Sequence, residues 1–338
     1  MLRTYYLDKL PSASYDAYYA IDSAVRAYRS ECMLYGLNVE QAREVVKAYT
    51  YDNPDVWHCA LQFFEVATEL RGSRVIFTYN DFDESKFRSK FSKITEYIDK
   101  RITSYSSEER IAKLIYDYLC ENVEGDLEVI NAYSRLDRSD NAATLEFTRK
   151  YGASFSAYGA IANGKAACMG IAAAYKLLLD TYRIEAACVA GEYEGYPHML
   201  NVLEINSERV YVDVSRGLIE KALPMIRYDY YFVDEERIRK YFTPEEDFGC
   251  ACKTMNYFFK NNLIFKDAVA LRKYLSSFSY SNIKGDLRFF YKGSALDDEG
   301  LEKIIDEVVA SRCGTEYKIV GYVAEHGIGN CKMNKLEA

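Results

Sequence analysis

Two stretches decide the fold of this chain: residues 163–180, NGKAACMGIAAAYKLLLD, and residues 198–215, HMLNVLEINSERVYVDVS. In the first, apolar residues recur at helical spacing, which predicts an amphipathic helix that begins at Cys168 and ends before Ile184. In the second, two strand-like runs flank Asn206-Ser207, a pair of residues suited to a two-residue hairpin turn. The sequence therefore predicts a cysteine at a helix N-terminus, followed by a β-hairpin.

The side chains of the hairpin predict its register. If Ile205 lies opposite the residue that follows the turn, apolar side chains fall on one face and Glu204 lies directly across from Arg209. In the same register His198 and Asp213 share the other face, diagonally related and within reach of an imidazole–carboxylate hydrogen bond. A slip of one residue would place these two side chains on opposite faces.

These residue types fit thiol chemistry. A cysteine attacks as its thiolate, which a helix N-terminus and a neighbouring imidazolium both favour, and Cys168 is placed to have both. A carboxylate on the adjacent strand can hold the imidazole in one tautomer. Of the three histidines, His58, His198 and His326, only His198 lies in this segment. We therefore predict Cys168 as nucleophile, His198 as base and Asp213 as the residue that orients the base.

Each of these residues also has an ordinary structural explanation. A free cysteine at a helix start is commonly a small buried hydrophobe, His198 could bind a backbone carbonyl, and Asp213 could cap a turn. The shared face of the last two and the residues around the cysteine favour a catalytic role. The backbone N–H of Cys168 is the natural oxyanion donor, with the side chain of Tyr158 or Asn163 as a second candidate; the sequence does not choose between them.

The residues around Cys168 also resemble a known family. SAYGA (156–160) and NGKAACMG (163–170) are similar to the nucleophile region of bacterial transglutaminase-like proteins. The resemblance continues in the family's order and approximate spacing through YKLLLD (175–180), His198 to Asn201 and YVDVS (211–215). It covers most of the chain and is weakest at the C-terminal end.

The resemblance implies a papain-related Cys-His-Asp fold, in which the helix that bears the cysteine packs on an antiparallel sheet that bears the histidine and the aspartate. Family members form or break amide bonds through a thioester, in crosslinking, deamidation or peptide hydrolysis, and some have lost catalysis. This chain departs from the family pattern at Met199-Leu200, where a small and then an aromatic residue are usual, and at Arg216, where an aromatic is common. Substrate preference therefore does not carry over.

Composition excludes several classes of protein. The 338 residues are 49% hydrophobic and 28% charged, as in globular proteins of about two or three domains. A formal charge of -8 without a Lys/Arg run argues against nucleic acid as a partner. No apolar stretch has the length of a signal peptide or a membrane span, so we expect a cytoplasmic protein without a membrane partner.

The cysteines indicate a reducing compartment. There are nine, an odd number without repeated pair spacing, which is not the pattern of a disulfide scaffold. Cys250 and Cys252 lack a second cysteine or histidine pair nearby, so we expect no metal there. No cofactor is expected either, because thiol acyl transfer needs none.

The chain is predicted to be an α+β protein in three parts: an N-terminal α/β region (1–105), a transglutaminase-like core (106–255) and a small C-terminal α/β domain (256–338). Predicted helical segments are Tyr15–Leu34, Val39–Ala48, about Ser106–Cys120, Asp234–Lys240 with a solvated face, and Asp297–Ala310. Predicted strands outside the hairpin are Val75–Tyr79, Glu185–Gly191, Leu287–Tyr291 and Tyr317–Val323, and Asp126–Tyr151 is predicted as an irregular loop.

The leading hypothesis is a cysteine-dependent enzyme that transfers or hydrolyses the acyl group of peptide or protein amides, with hydrolysis favoured over crosslinking. The alternative is an inactive transglutaminase-like module that binds a peptide or a glycan in its cleft. A third hypothesis is that residues 1–105 cover the cleft and restrain activity. Acyl donor, acceptor, pathway and oligomeric state stay open at this point.

Overall fold

The N-terminal part of the chain combines helices with a small antiparallel sheet. The computed structural model describes residues 2–137, 140–277, 286–307 and 317–335. The helices of the first part are α1 (Tyr5–Lys9), α2 (Tyr15–Arg26), α3 (Val39–Asp52) and α4 (Glu84–Asp99). Its strands are β1 (Glu31–Tyr35), β2 (Glu65–Glu69) and β3 (Gly72–Ile76), in the order β1-β3-β2.

The helix predicted over Tyr15–Leu34 is wrong in its second half. The helix α2 ends at Arg26, because Tyr28 takes a left-handed φ of 54° that interrupts the helix, and the residues that follow pair with β3 as β1. The second predicted helix is confirmed as α3, whose first turn is closed by a capping box. The strand predicted at Val75–Tyr79 is β3, which begins and ends slightly earlier in the chain.

The central part contains the segments that decided the prediction. Its helices are α5 (Glu108–Asn122), α6 (Leu127–Tyr133), α7 (Asn141–Tyr151), α8 (Cys168–Thr181), α9 (Val214–Gly217) and α10 (Glu235–Ile238). Its strands are β4 (Glu124–Gly125), β5 (Lys165–Ala166), β6 (Glu185–Tyr193), β7 (Tyr196–Ile205), β8 (Glu208–Val212) and β9 (Phe242–Pro244). The last four form an antiparallel sheet in the order β8-β7-β6-β9, on which α8 packs. The mixed α+β class is confirmed.

The C-terminal part has its own sheet and apolar core. Its helices are α11 (Tyr257–Lys260), α12 (Ala268–Ser277) and α13 (Asp298–Ile305), and its strands are β10 (Ile264–Phe265), β11 (Asp286–Tyr291), β12 (Tyr317–Glu325) and β13 (Ile328–Lys335). The strand order is β10-β11-β13-β12. Both predicted strands are confirmed, and so is the beginning of the predicted helix, whose last residues, 308–310, lie outside the described residues. Across the described ranges we find no helix with both the length and the apolarity of a membrane span.

The hairpin of β7 and β8 has the register that the side chains predicted. Ile205 pairs with Glu208, and Glu204 pairs with Arg209, whose Nε lies 3.1 Å from the Glu204 carboxylate. Asn206 and Ser207 both take positive φ values, 52° and 65°, as a tight two-residue hairpin turn requires. The prediction of the register is confirmed, whereas Asp213 lies one residue beyond the end of β8, where it caps α9.

The sheet is covered on both faces. Leu203 and its neighbours on one face pack against α8 and α5, whereas Val202 and its neighbours on the other face pack against the N-terminal part. Residues of the N-terminal part in this second core include Ile21, Val45, Tyr49 and Val75. The alternation follows from the period of two in a β-strand. The N-terminal part therefore completes the core of the sheet, and the boundaries near residues 105 and 255 stay a prediction.

Two predictions in the central part are wrong. The loop predicted at Asp126–Tyr151 contains α6 and α7, each started by an aspartate cap, and their largely exposed faces explain the missing apolar period. The helix predicted over Asp234–Lys240 with a solvated face is short, and Arg237 is buried in it, with its guanidinium 5.0 Å from the ring of Phe290.

A glycine allows the first turn of α8 to approach the preceding loop closely. A Cβ atom on Gly170 would lie 2.4 Å from the carbonyl oxygen of Ser154 and 2.8 Å from that of Ser156. The same loop accepts the backbone N–H of Ala167 at 2.9 Å, again through the Ser154 carbonyl. These contacts fix the position of the residues on either side of Cys168.

We predict that Gly170→Ala destabilises the protein by about 1 to 3 kcal/mol, because the added methyl group overlaps two backbone oxygens that cannot move away. The sign of the change in unfolding free energy is informative, because Gly→Ala inside a helix otherwise stabilises a protein by about 0.5 to 1 kcal/mol. Urea unfolding measures the change. Gly125→Ala, where nothing lies within 4 Å of the new Cβ, is the matched control and should leave the midpoint unchanged. Equal stability of the two variants would contradict the close approach.

Candidate active site

Cys168 and His198 meet where α8 begins against the sheet. Cys168 is the first residue of α8 and follows Ala167, which has an extended backbone and provides no side-chain cap. The imidazole of His198 and the backbone N–H of Met199 on β7 lie near the thiol and favour its charged form. Because Cys168 begins the helix, its own backbone N–H and those of the next residues have no acceptor inside α8.

Asp213 holds the imidazole from the other side. The Nε2 atom of His198 lies 2.7 Å from Oδ2 of Asp213, which leaves Nδ1 as the nitrogen available to the thiol. The second oxygen, Oδ1, accepts the hydroxyl of Ser215 at 2.7 Å and the backbone N–H of Arg216 at 3.1 Å. Asp213 is 1% exposed and caps α9, and its orientation is fixed by three hydrogen-bond partners, His198, Ser215 and Arg216.

The three groups shift one another's protonation. Burial alone would lower the pKa of His198, but the Asp213 carboxylate and the contact with Cys168 raise this pKa to about 10. Burial alone would raise the pKa of the Cys168 thiol, but the hydrogen bond to His198 and its charge lower it. The pKa of Asp213 is also lowered, since its hydrogen bonds and His198 outweigh burial. Together these shifts favour a thiolate–imidazolium pair at neutral pH.

Arg216, where the sequence departs from the family pattern, links the site to the C-terminal part. Its guanidinium donates to the hydroxyl of Tyr193 at 2.9 Å and lies 3.5 Å from the carboxylate of Glu325, the last residue of β12. The ring of Tyr193 lies in turn 5.7 Å from the ring of His198. An arginine at this position therefore connects the side of the site behind Asp213 to the turn between β12 and β13.

A cleft of about 410 Å³ opens onto Cys168 and His198. Its walls come from α3 and the residues after it, from α6, and from the loop before α8. At its rim, Lys47 of α3 binds Glu245, just after β9, at 2.6 Å. The N-terminal part is thus one wall of this cleft, so its removal would take away cleft surface together with one core of the sheet.

Tyr158 and Asn163, the side chains predicted for an oxyanion site, do not line this cleft. Tyr158 is buried and stacks on Phe82 with 4.4 Å between the ring centroids. Asn163 accepts a hydrogen bond from Lys86 at 2.7 Å on the surface. The physical reason is the single π-helical turn Gly159–Asn163, which packs on α4 and directs both side chains there.

Sequence reasoning missed the residues that form the cleft walls. The aromatic ones are Tyr51, Phe63, Phe64, Tyr133 and Phe155. The pair of neighbouring aromatic residues Phe63-Phe64 was a signal that could have identified part of this wall. The cysteines at positions 32, 59, 120, 168, 188, 250 and 252 are free, and Cys313 lies outside the described residues. In the same described ranges no group of three or more His, Cys, Asp and Glu side chains is arranged to hold a metal ion.

No family model matches the sequence, and no curated protein matches it. Solved structures similar to the chain include a TGase, at 13% identity and a TM-score of 0.32, over 55% of this chain and 50% of that chain. A second is a candidate cysteine protease from Cytophaga hutchinsonii, at 14% identity and a TM-score of 0.25, over 46% of this chain and 62% of that chain. A third is a candidate protease from Parabacteroides distasonis, at 7% identity and a TM-score of 0.27, over 82% of this chain and 56% of that chain.

This chain therefore spans 50 to 62% of the length of those three proteins. The three proteins are named as a TGase, a cysteine protease and a protease, which are the classes that the sequence resemblance led us to expect. With TM-scores of 0.32 and below, the likenesses carry no argument about chemistry. The function is therefore argued from the side chains around Cys168.

We predict that Cys168 stays reactive toward iodoacetamide well below the pH at which an ordinary thiol ionises, because the lowered thiol pKa and the raised His198 pKa keep the ion pair over the range between them. Below the lowered pKa the thiolate is protonated and labelling falls. In His198→Ala labelling should need alkaline pH, because burial without the imidazolium raises the pKa of the thiol. Peptide mass spectrometry at each pH measures the rates.

The chain contains its own control for this experiment. Cys32 is half-buried on β1, and burial raises the pKa of its thiol. It should label only at alkaline pH, both in the wild type and in His198→Ala. Asp213→Asn keeps a hydrogen-bond acceptor but removes the charge, so it should move the Cys168 profile toward that of Cys32. If the labelling rates of Cys168 and Cys32 depend on pH in the same way in the wild type, Cys168 does not form an ion pair with His198.

Proposed function

We propose that this protein is a cysteine-dependent enzyme that transfers or hydrolyses the acyl group of peptide or protein amides through a thioester. One observation carries the proposal: Cys168 and His198 line the same open cleft, and the buried Asp213 carboxylate lies 2.7 Å from the His198 imidazole. A nucleophile, a base and a group that orients the base, each in contact with the next, form the arrangement that covalent catalysis requires. The residue pattern around Cys168 supports the same conclusion.

In the proposed reaction the Cys168 thiolate attacks the carbonyl carbon of an amide. The backbone N–H of Cys168 stabilises the resulting oxyanion, since it has no acceptor within α8. The imidazolium of His198 donates its proton to the leaving nitrogen, so the C–N bond breaks and an amine departs while the thioester remains. Asp213 keeps Nδ1 of the imidazole directed at the reacting atoms throughout.

The second half of the reaction decides the product. Neutral His198 removes a proton from water or from an amine, which attacks the thioester carbon, and the Cys168 thiolate leaves. Water gives hydrolysis or deamidation, and an amine gives a new amide. We propose hydrolysis as the main outcome, because the resemblance around Cys168 is to bacterial transglutaminase-like proteins.

We predict that a mixture of unmodified peptides leaves an acyl group on Cys168 that is detected after an acid quench by mass spectrometry. His198→Ala should lower kcat/KM for the most rapidly consumed peptide by roughly 10²- to 10⁴-fold, the usual contribution of a general acid–base. Cys252→Ser, which changes a partly exposed thiol outside the cleft, is the control and should leave turnover unchanged. Undiminished turnover in Cys168→Ala would exclude the proposal, and peptide binding without turnover would favour the inactive module.

We predict that turnover is the same after extensive dialysis against EDTA as before it, because a thiolate attack needs no Lewis acid. The peptide assay of the preceding experiment measures this. Readdition of Ca²⁺ and Zn²⁺ serves as the control for metal effects on the assay itself. Activity that disappears in EDTA and returns with one of the two ions would contradict the metal-independent mechanism.

A further inference from the structure

One side of the cleft is a connected wall of aromatic rings. The ring of Phe63 lies 5.3 Å from that of Phe155 and 6.5 Å from that of Tyr133, and the last two are 5.5 Å apart. Behind them Phe147 is buried and touches all three, at 5.5 to 6.0 Å. Edge-to-face and tilted contacts of this kind hold rings in fixed positions. The wall is therefore preformed.

The wall leaves apolar surface uncovered within the cleft. Phe63, Tyr133 and Phe155 are only half-buried, and Ile130, beside them in the lining, is 48% exposed. In the chain as described, no other segment fills the space in front of them, since the cleft has a volume of about 410 Å³. Half-buried aromatic rings that line a concave site are typical of surfaces that bind an apolar group of a ligand.

The wall begins next to the nucleophile. Phe155 follows Ser154, whose carbonyl accepts the backbone N–H of Ala167, the residue before Cys168. Cys168, Phe155 and Phe63 line the same cleft, so the wall is within the space open to a peptide bound at the sulfur.

The charged residues at the rim of the cleft do not favour either acidic or basic peptides. Its charged members are Arg43, Glu44, Lys47 and Glu245, two of each sign, and Lys47 is bound to Glu245. A balanced rim gives little net attraction for either an acidic or a basic peptide. The aromatic wall is thus the feature of the cleft that discriminates between substrates.

We propose that the cleft selects peptides with a large apolar side chain, such as phenylalanine or leucine, beside the amide that Cys168 attacks. This inference rests on the proposed function, since it names the substrate class of the same site. Burial of such a side chain against the wall favours it over alanine by roughly 10- to 100-fold.

The test is competition for Cys168 labelling by chloroacetamide, a reagent too small to need the wall. Capped trialanine is compared with the three capped peptides in which one alanine is replaced by phenylalanine. At least one of the phenylalanine peptides should protect Cys168 at a concentration roughly 10- to 100-fold lower than trialanine. Equal protection by all four peptides overturns the inference.

Variants of the wall locate the effect. Phe63→Ala should remove most of the preference and Phe63→Leu should retain part of it, because leucine keeps apolar volume at this position. Phe259→Ala, at a half-exposed phenylalanine of α11 outside the cleft, is the matched control and should keep the full preference. A Phe63→Ala variant that labels at the wild-type rate without peptide is folded at the site, and an unchanged preference in that variant contradicts the role of the wall.

The two proposals fail in different ways. Fast labelling of Cys168 by chloroacetamide below the pKa of a free thiol, with no preference among the peptides, leaves the thiol chemistry intact and removes only the substrate class. If labelling of Cys168 is slow at every pH below the pKa of a free thiol, the proposed function itself is excluded. The labelling rate without peptide separates these outcomes in the wild type alone.

Discussion

The pairing of β7 with β8 is the constraint on which the rest of the structure depends. One register places His198 2.7 Å from Asp213, sends Leu203 toward α8 and sends Val202 toward the N-terminal part. Because strand side chains alternate, any slip of one residue would exchange the two cores and separate imidazole from carboxylate at the same time. The apolar packing on both faces thus stabilises the geometry of the polar site, although the site contributes little apolar contact itself.

The sequence was most informative where local patterns and pairing agree. The helix that begins at Cys168 and the pairing of Glu204 with Arg209 were predictable, because periodicity and cross-strand charge each specify one arrangement. Helices α6 and α7 were not, because each buries few residues and lacks an apolar stripe. The positions of Tyr158 and Asn163 depend on one π-helical turn, which no local residue pattern predicts. The cleft walls join segments far apart in sequence, and no local rule predicts such contacts.

Charge alternates along the route from the cleft to the C-terminal hairpin. Behind Cys168 and His198 lie the Asp213 carboxylate, the Arg216 guanidinium, the Glu325 carboxylate and the Arg227 guanidinium, the last two 2.8 Å apart. Isolated buried charges are costly, whereas paired ones with satisfied hydrogen bonds are tolerated. Arg216 at a position where an aromatic residue is common is therefore consistent with its surroundings, since its backbone N–H binds the Asp213 carboxylate and its guanidinium lies 3.5 Å from the Glu325 carboxylate.

The N-terminal segment makes its contacts with residues of the central part that lie more than 180 positions later in the chain. The backbone N–H of Leu2 binds the Glu185 carboxylate at 2.7 Å, and the hydroxyl of Tyr6 binds the carbonyl of Cys188 at 2.8 Å. Contacts between positions so distant in sequence have a large loop-closure entropy and slow the folding of a chain. During synthesis the apolar face of α2 and α3 stays uncovered until the sheet of β6, β7 and β8 has been made, which takes well over a hundred further residues. The cleft consequently forms only after the first and the central parts of the chain have met, since its walls come from both.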